Sequence, residues 1–417
     1  MAGDAAPNRW VLLAVSLVAW AAGATAVFQL SLVLPALRAE TGMSLALAGA
    51  LVGTANGGLT VALLGWGVFA DRFGDRRAMA TGLVLCAGCL CAAAGTRSVP
   101  VLFGAFALAG VTAAAVYAPS GRSVVRGFPA RQRALALGLT QTSTPLSSAL
   151  AAAVVPGVAA RQGLPALWLG VAGLCVLAAA LVLVFGGQPR AESDRSGPAG
   201  EPAAPAVMAR MYGACALLVL PQSALLTFTV SYLVDDRGWT PAGAGWLLSG
   251  GLLLTVLTRP VLGHLSDRGG SRLGLMRAFA VGNAVVLALL VAGVLSGTGW
   301  APAALLIACV STVTGYGLAS TAVAGFAAHA RLGRALGIQH TVQSLVATAG
   351  PVLLGGLIGT AGYAAAFAAV AVAPVAGGAL LPVGAERRRQ HPHPRQQCSR
   401  SSADGVPVSM AWWTRRR

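Results

Sequence analysis

Two short stretches hold side chains whose types and spacing could do chemistry in an otherwise apolar chain. Residues 67–77 read GVFADRFGDRR, and residues 263–274 read GHLSDRGGSRLG. Both fit one frame, G-x-x-x-D-R-x-G-x-R. The chemistry open to it is charge-assisted hydrogen bonding at helix ends. Asp71 and Asp267 each lie four residues after the first glycine, where a carboxylate accepts from a facing helix N-terminus and from guanidinium groups. Arg72, Arg76, Arg77, Arg268 and Arg272 can bridge to carbonyl ends or carboxylates. Gly67 and Gly263 would let a neighbouring helix approach closely. Gly74 and Gly270 suit a tight turn at positive φ. Asp75 adds an acid between the second glycine and the arginines. One such loop would read as a solvated turn, but two in register ask for a common role.

A second group is polar and lies inside apolar runs, where polar side chains are costly and mark function by default. It comprises Gln29, Asn56, Tyr117, Gln141, Gln222, Thr227, Tyr316, His340 and Gln343, with Thr142 beside Gln141. At 1.5 Å rise per residue, Gln141 sits about 12 Å past Arg133, Gln222 about 18 Å past Arg210, and Gln343 about 13–14 Å past Arg334. For each of them a helix–helix hydrogen bond competes evenly with substrate contact. His340 has the side chain whose ordinary pKa suits proton coupling, although a plain polar contact beside Gln339 and Gln343 is the stronger reading. Arg259 precedes Gly263 by one turn and Asp267 by two, so it is a candidate charge partner on that face. No Asp or Glu falls well inside an apolar run.

No Walker loop, catalytic triad or metal cluster accompanies these residues, so neither an enzyme nor a cofactor is expected. Cys86, Cys89 and Cys91 spell CxxCxC, but with no nearby His or acid they read as small apolar filler. HPHP, at 391–394, is too short for a metal site.

The elements that must position these groups are membrane helices. The chain has 417 residues, is 56% hydrophobic and only 10% charged. A soluble chain carries about a quarter charged residues, so this is the composition of a polytopic membrane protein. The net charge of +17 comes from 29 basic residues, all Arg. They are scattered between apolar runs instead of sharing one polar face, which excludes nucleic acid as a partner. Twelve spans are predicted: 10–35, 45–69, 78–96, 100–121, 134–156, 164–186, 208–233, 243–265, 274–296, 300–327, 335–358 and 361–382. The first is read as a retained helix, not a signal peptide. With the N-terminus inside, the short inner loops hold twelve arginines and the outer loops four, namely Arg38, Arg97, Arg161 and Arg237. That is the direction of the positive-inside rule.

The expected organisation is a cytoplasmic N-terminus (1–9), a six-helix bundle (10–186), a Pro- and Gly-rich cytoplasmic linker (187–207), a second six-helix bundle (208–382) and a disordered cytoplasmic tail (383–417). The halves repeat. Gly263 follows Gly67 by 196 residues (263 − 67). ALALGLTQT near Gly138 echoes RALGIQHTV near Gly337 at 199 (337 − 138). Six helices per unit keep both copies in one orientation.

The paired loops, twelve spans and 6+6 layout resemble the major facilitator superfamily over about residues 10 to 382. The resemblance implies an all-α fold of two pseudo-symmetric bundles and secondary active transport by alternating access. It implies that both loop motifs form an inner latch, closed when the cavity opens outward. It also raises Gln29, Tyr117, Gln222, Thr227 and Tyr316 as cavity residues, because helices one, four, seven and ten line the path in that family. The expected substrate is a small organic solute, neutral or anionic, with a proton as candidate co-substrate. A multidrug efflux antiporter is the alternative; the missing buried carboxylate and the sequence TQTSTPLSSAL in the fifth span, where antiporters carry G-x-x-x-G-P, weaken it. A non-transporting sensor or scaffold with the same fold is the alternative of another class. The expected setting is a monomer in the lipid bilayer of a bacterial plasma (inner) membrane, multi-pass, with both termini cytoplasmic.

Overall fold

The computed structural model describes residues 9–117, 130–186, 204–268, 271–326 and 332–390. They are almost wholly helical. In chain order the helices are α1 (Arg9–Leu32), α2 (Leu34–Thr41), α3 (Leu45–Phe73), α4 (Asp75–Ala94), α5 (Val99–Ala113), α6 (Ala130–Phe185), α7 (Pro205–Ser231), α8 (Pro241–Arg268), α9 (Arg272–Leu295), α10 (Ala301–Phe326), α11 (Leu332–Leu380) and α12 (Val383–Gln390). Among the described residues, nine helices are long and apolar enough to cross a membrane. Two of these are double length. α6 breaks at Gly163 (φ 80°, ψ 168°) and α11 at Gly362 (φ 79°, ψ 174°), backbone that only glycine adopts readily. With both breaks counted, and with the shorter apolar helix from Ala301, the architecture accords with twelve spans. The chain is an all-α polytopic protein.

These helices form because apolar runs in lipid have no other way to satisfy their backbone groups. The 24 residues of α1 rise about 36 Å, enough for a hydrocarbon core of about 30 Å. Ser44 caps α3 by accepting from the Leu47 N–H, and Ser271 caps α9 by accepting from the Gly274 N–H. At Gly74 the chain turns from α3 into α4 with φ 89°, the positive φ that the motif's second glycine predicts.

The duplication recurs in the backbone. Gly42 and Gly238 both have left-handed φ, 69° and 68°, and lie 196 residues apart (238 − 42). The two helix breaks lie 199 apart (362 − 163). Both offsets match those of the sequence echoes.

Within the first half, α3 packs on α5 and α6 packs on α1 and α4. Trp66 of α3 donates from Nε1 to the Val111 carbonyl at 2.7 Å. In the second half, α7 and α9 pack on α11, and α10 packs on α7, α8 and α9. The halves meet chiefly along α3 with α11 and α6 with α8.

The predicted tail needs a correction. Its first residues, Val383–Gln390, are a helix, α12. It is short and mostly polar, which is why its pattern reads as disorder, but Val383 and Ala385 pack against the apolar cluster around Met211, Leu273 and Met276. It is tied by Glu386, whose carboxylate accepts from Ser271 Oγ at 2.6 Å and from the Leu273 N–H at 3.0 Å at the start of α9. Residues 391–417, with HPHP and the Trp pair, lie outside the described residues.

Candidate substrate path and gates

Contact between the halves is concentrated toward one end, opposite the arginine-rich loops. A Cβ built on Gly53 of α3 would sit 2.5 Å from the Thr348 carbonyl oxygen of α11, and one on Gly49 would run into the Pro351 carbonyl. On α11, a Cβ at Gly355 would sit 2.8 Å from the Leu45 carbonyl oxygen. On the other seam, Gly245 of α8 lies against the backbone of Ala152 in α6. Glycine permits this approach because any side chain would fill the gap.

An ion pair seals the same end. Arg38, in α2, donates from Nη1 to Oδ2 of Asp235 at 2.6 Å. Asp235 lies in the widened turn Tyr232–Asp236 that ends α7. Beneath it Tyr232, Tyr363 and Phe367 form an aromatic cluster, with Tyr232 5.3 Å from Tyr363 and 5.7 Å from Phe367, centroid to centroid. Arg237, two residues on, bonds the Thr298 carbonyl inside its own half.

Toward the arginine-rich end the seam parts. At 100° per residue, Gly53, Gly57, Leu64 and Val68 share one face of α3. Gly57 faces Thr348, but Leu64 is 84% exposed and Val68 69%. A Cβ on Gly67 would meet nothing within 4 Å among the described residues. The close approach expected at Gly67 is therefore absent in this conformation, and tight packing occurs four turns away at Gly49 and Gly53. On α11, Thr341 and Leu345 are exposed along the matching face.

The first loop motif sits at this parted end. Asp71, Arg72, Arg76 and Arg77 are exposed, and the Arg72 guanidinium lies 5.5 Å from the Phe73 ring centroid. Asp75 is buried at the first position of α4, where an acid complements the helix dipole. In the second copy, Gly263, Asp267 and Arg268 lie on the last turns of α8 and Arg272 opens α9; their side chains, like that of Arg259, and Gly270 itself, lie outside the described residues.

The intramembrane polar residues divide by what they touch. Gln29 is fully buried; its Nε2 donates to the Ala26 carbonyl at 3.2 Å, and its Oε1 has no hydrogen-bond partner among the described residues. Gln222 on α7 likewise has a buried Oε1 without a partner. The repeat relates the two helices that carry them, so the two glutamines stand about one turn apart in the common frame. Leaving such an oxygen unsatisfied costs about 1–3 kcal/mol, which favours a donor from a ligand. Thr348 Oγ1 is a third buried atom of this kind. Tyr117 stacks at 4.6 Å on Trp20, whose Nε1 donates to Thr144 Oγ1 at 3.1 Å. That joins α1, the end of α5 and α6. Asn56 donates to its own helix at the Val52 carbonyl, 3.1 Å away, and Thr227 is buried.

Gln343 takes another course: it accepts from Gln339 Nε2 at 3.3 Å and donates to the Cys215 carbonyl of α7 at 3.5 Å. In this conformation both ends of its amide are used in contacts within and between helices. His340 is exposed on α11, apart from the buried pair beside it. The side chains of Gln141, Thr142 and Tyr316 lie outside the described residues. Cys86 is buried against α5, its Sγ 3.7 Å from the Ala109 carbonyl oxygen, which is the role of a small core residue.

Reading by span and motif missed Arg38, Asp235, Trp20, Thr144 and Thr348. One signal for the first two was available. Asp235 follows Arg38 by 197 residues (235 − 38), inside the repeat spacing, so the two are near-equivalent positions just after the first long helix of each half. Equivalent positions near a pseudo-twofold axis come together.

Comparison with known proteins agrees with this geometry. The family model described as Major Facilitator Superfamily matches twice in tandem, over residues 10–220 and 211–412. An uncharacterized MFS-type transporter of Mycobacterium tuberculosis is 36% identical over 380 residues, covering 90% of this chain and 85% of that protein. Among solved structures, a bacterial homologue of the human lysosomal transporter Spinster, in an inward-facing and occupied conformation, matches with TM-score 0.77. It is 15% identical and covers 91% of this chain and 97% of its own. A D-xylose–proton symporter matches with TM-score 0.69 at 16% identity, covering 91% and 96%.

Proposed function

Since the chain belongs to the major facilitator superfamily and is a membrane transport protein, we propose that it moves a small neutral or anionic organic solute across a bacterial plasma membrane by alternating access. The observation that carries this reading is the one-sided seam. The halves touch closely at Gly49, Gly53 and Gly245 and at the Arg38–Asp235 pair, and separate at Leu64 and Val68. Two rigid bundles hinged this way have an obvious second state, with the seam closed at the other end.

Sidedness follows from the arginine distribution, which puts the parted end and both termini in the cytoplasm. The conformation is then inward-open, in keeping with the inward-facing Spinster homologue it resembles. In the outward-open state the exposed face of Leu64 and Val68 packs on α11. The two loop motifs, through Asp71 and Asp267 with their arginines, latch that end. Each charge-assisted bond in such a latch contributes about 1.5–3 kcal/mol, small enough to break in every cycle.

The substrate site lies between α1 and α7, near Gln29 and Gln222. Their free amide oxygens accept hydrogen bonds, which suits a solute rich in hydroxyl or N–H groups. With no acid well inside any apolar run, the site has no fixed negative charge for a cationic drug. The protein acts as a monomer, with a proton gradient as a candidate energy source. Reconstitution into proteoliposomes and counterflow of labelled sugars, amino acids, carboxylates and drugs, with and without a pH gradient, tests the reading. Counterflow of one neutral or anionic class is expected. Inserted protein that exchanges none of these classes would refute it.

A further inference from the structure

A cavity of about 470 Å³ lies at the arginine-rich end of the second half, away from the seam. Its walls include Val207 and Arg210 from the first turns of α7, Arg277 from α9, and Leu381, Pro382 and Val383 at the junction of α11 with α12. It holds two guanidinium groups and no acidic side chain. Arg210 is positioned by a bond from its Nε to the Leu380 carbonyl at 3.2 Å, one of the carbonyls left open where α11 ends. That bond leaves the two Nη groups of Arg210 for the cavity. Arg277 makes no ion pair with any described acid. The nearby carboxylate of Glu386 is turned to Ser271 Oγ and the Leu273 N–H at the start of α9.

Two like charges sharing an apolar-walled recess repel each other unless an anion joins them. The rest of the lining is apolar, with Val207, Leu381, Pro382 and Val383 its larger side chains, which suit glycerol and the first acyl carbons. The recess stands at helix ends, level with the phospholipid headgroups. Basic pockets between membrane helices on the cytoplasmic side recognise anionic headgroups, and paired guanidinium forks match phosphate oxygens. A volume near 470 Å³ lies within the range of small-ligand sites, about 300–1,000 Å³.

We propose that Arg210 and Arg277 form a binding site for the phosphodiester headgroup of an anionic phospholipid of the inner leaflet. The Nη groups of both arginines hold the phosphate, and Val207 and Val383 flank the glycerol. The helix α12, whose sequence includes Arg387, Arg388 and Arg389, then lies along the same membrane surface. The proposal does not depend on which solute the protein carries.

Native mass spectrometry of the full-length protein tests it, with phosphatidylglycerol, phosphatidylethanolamine or inorganic phosphate added in turn. The wild type is expected to retain phosphatidylglycerol about tenfold better than phosphatidylethanolamine. The Arg210→Gln/Arg277→Gln variant should lose that preference. An Arg97→Gln/Arg161→Gln control at the opposite end should keep it. The Arg210→Lys/Arg277→Lys variant keeps the charge but not the planar fork, and its retention should fall about threefold; it serves as the test if the Gln pair does not fold. Unchanged phosphatidylglycerol retention in either pair overturns the proposal. Displacement of the lipid by millimolar inorganic phosphate also overturns it, since the site would then be one for a free anion.

Discussion

Asp235→Asn should shift the balance between the two seams toward opening at the Arg38 end. Asn keeps the shape of Asp but removes the charge that Arg38 meets at 2.6 Å. A hydrogen bond to a charged group contributes about 1.5–3 kcal/mol. Here the side chains are 34% and 29% exposed, so water screens part of that, and the figure falls toward the upper end for surface pairs, about 1 kcal/mol. That corresponds to roughly a fivefold change in the ratio of the two conformations. Spin labels on Leu64→Cys and Leu345→Cys report that ratio by double electron–electron resonance, because these positions flank the parted seam and are exposed. The long-distance population should fall about fivefold relative to the short one. Arg38→Gln should do the same, and the two together should do no more than either alone, since they remove one interaction. Arg237→Gln is the control, since its bond to the Thr298 carbonyl stays within one half. An unchanged distance distribution, or strictly additive effects of the two variants, would refute the pair as a gate.

Three further outcomes are expected. Gly53→Leu puts a side chain where even a Cβ sits 2.5 Å from the Thr348 carbonyl oxygen; it should force that seam apart, abolish counterflow, and enrich the short Leu64–Leu345 distance. Gln29→Leu and Gln222→Leu remove buried amide oxygens without partners; each should raise KM about tenfold or more while leaving the melting temperature unchanged or higher, and a fall in melting temperature with KM intact would assign them to packing. Asp71→Asn should slow uptake while membrane insertion stays normal, as read by surface biotinylation and initial rates; unaltered kinetics would remove the latch role.

The fold was largely legible because its signals are local. Span length, the arginine bias and the twin G-x-x-x-D-R-x-G-x-R loops each depend on a few neighbouring residues. The site was less so. Gln29 and Gln222 could be picked out as polar residues in apolar helices, but Gln343 has the same signature and turns out to bond the Cys215 carbonyl. One helix pattern serves both uses, and only the facing helix tells them apart. The helix at Val383–Gln390 escaped notice because it is short and is held by contacts with distant residues, the Glu386 bonds to the start of α9 and the packing of Val383 and Ala385.

From the amino-acid order alone came the class of protein, its duplication and the turn at Gly74, because each follows from hydrophobic length, repeat spacing or one residue's backbone freedom. Only the tertiary structure decided which end of the seam is closed, that Arg38 meets Asp235 there, and that Gly67 stands without a neighbour. The two halves meet along α3 with α11 and along α6 with α8. No local pattern in the sequence specifies such contacts, because the partners lie far apart along the chain and meet only once the helices have packed.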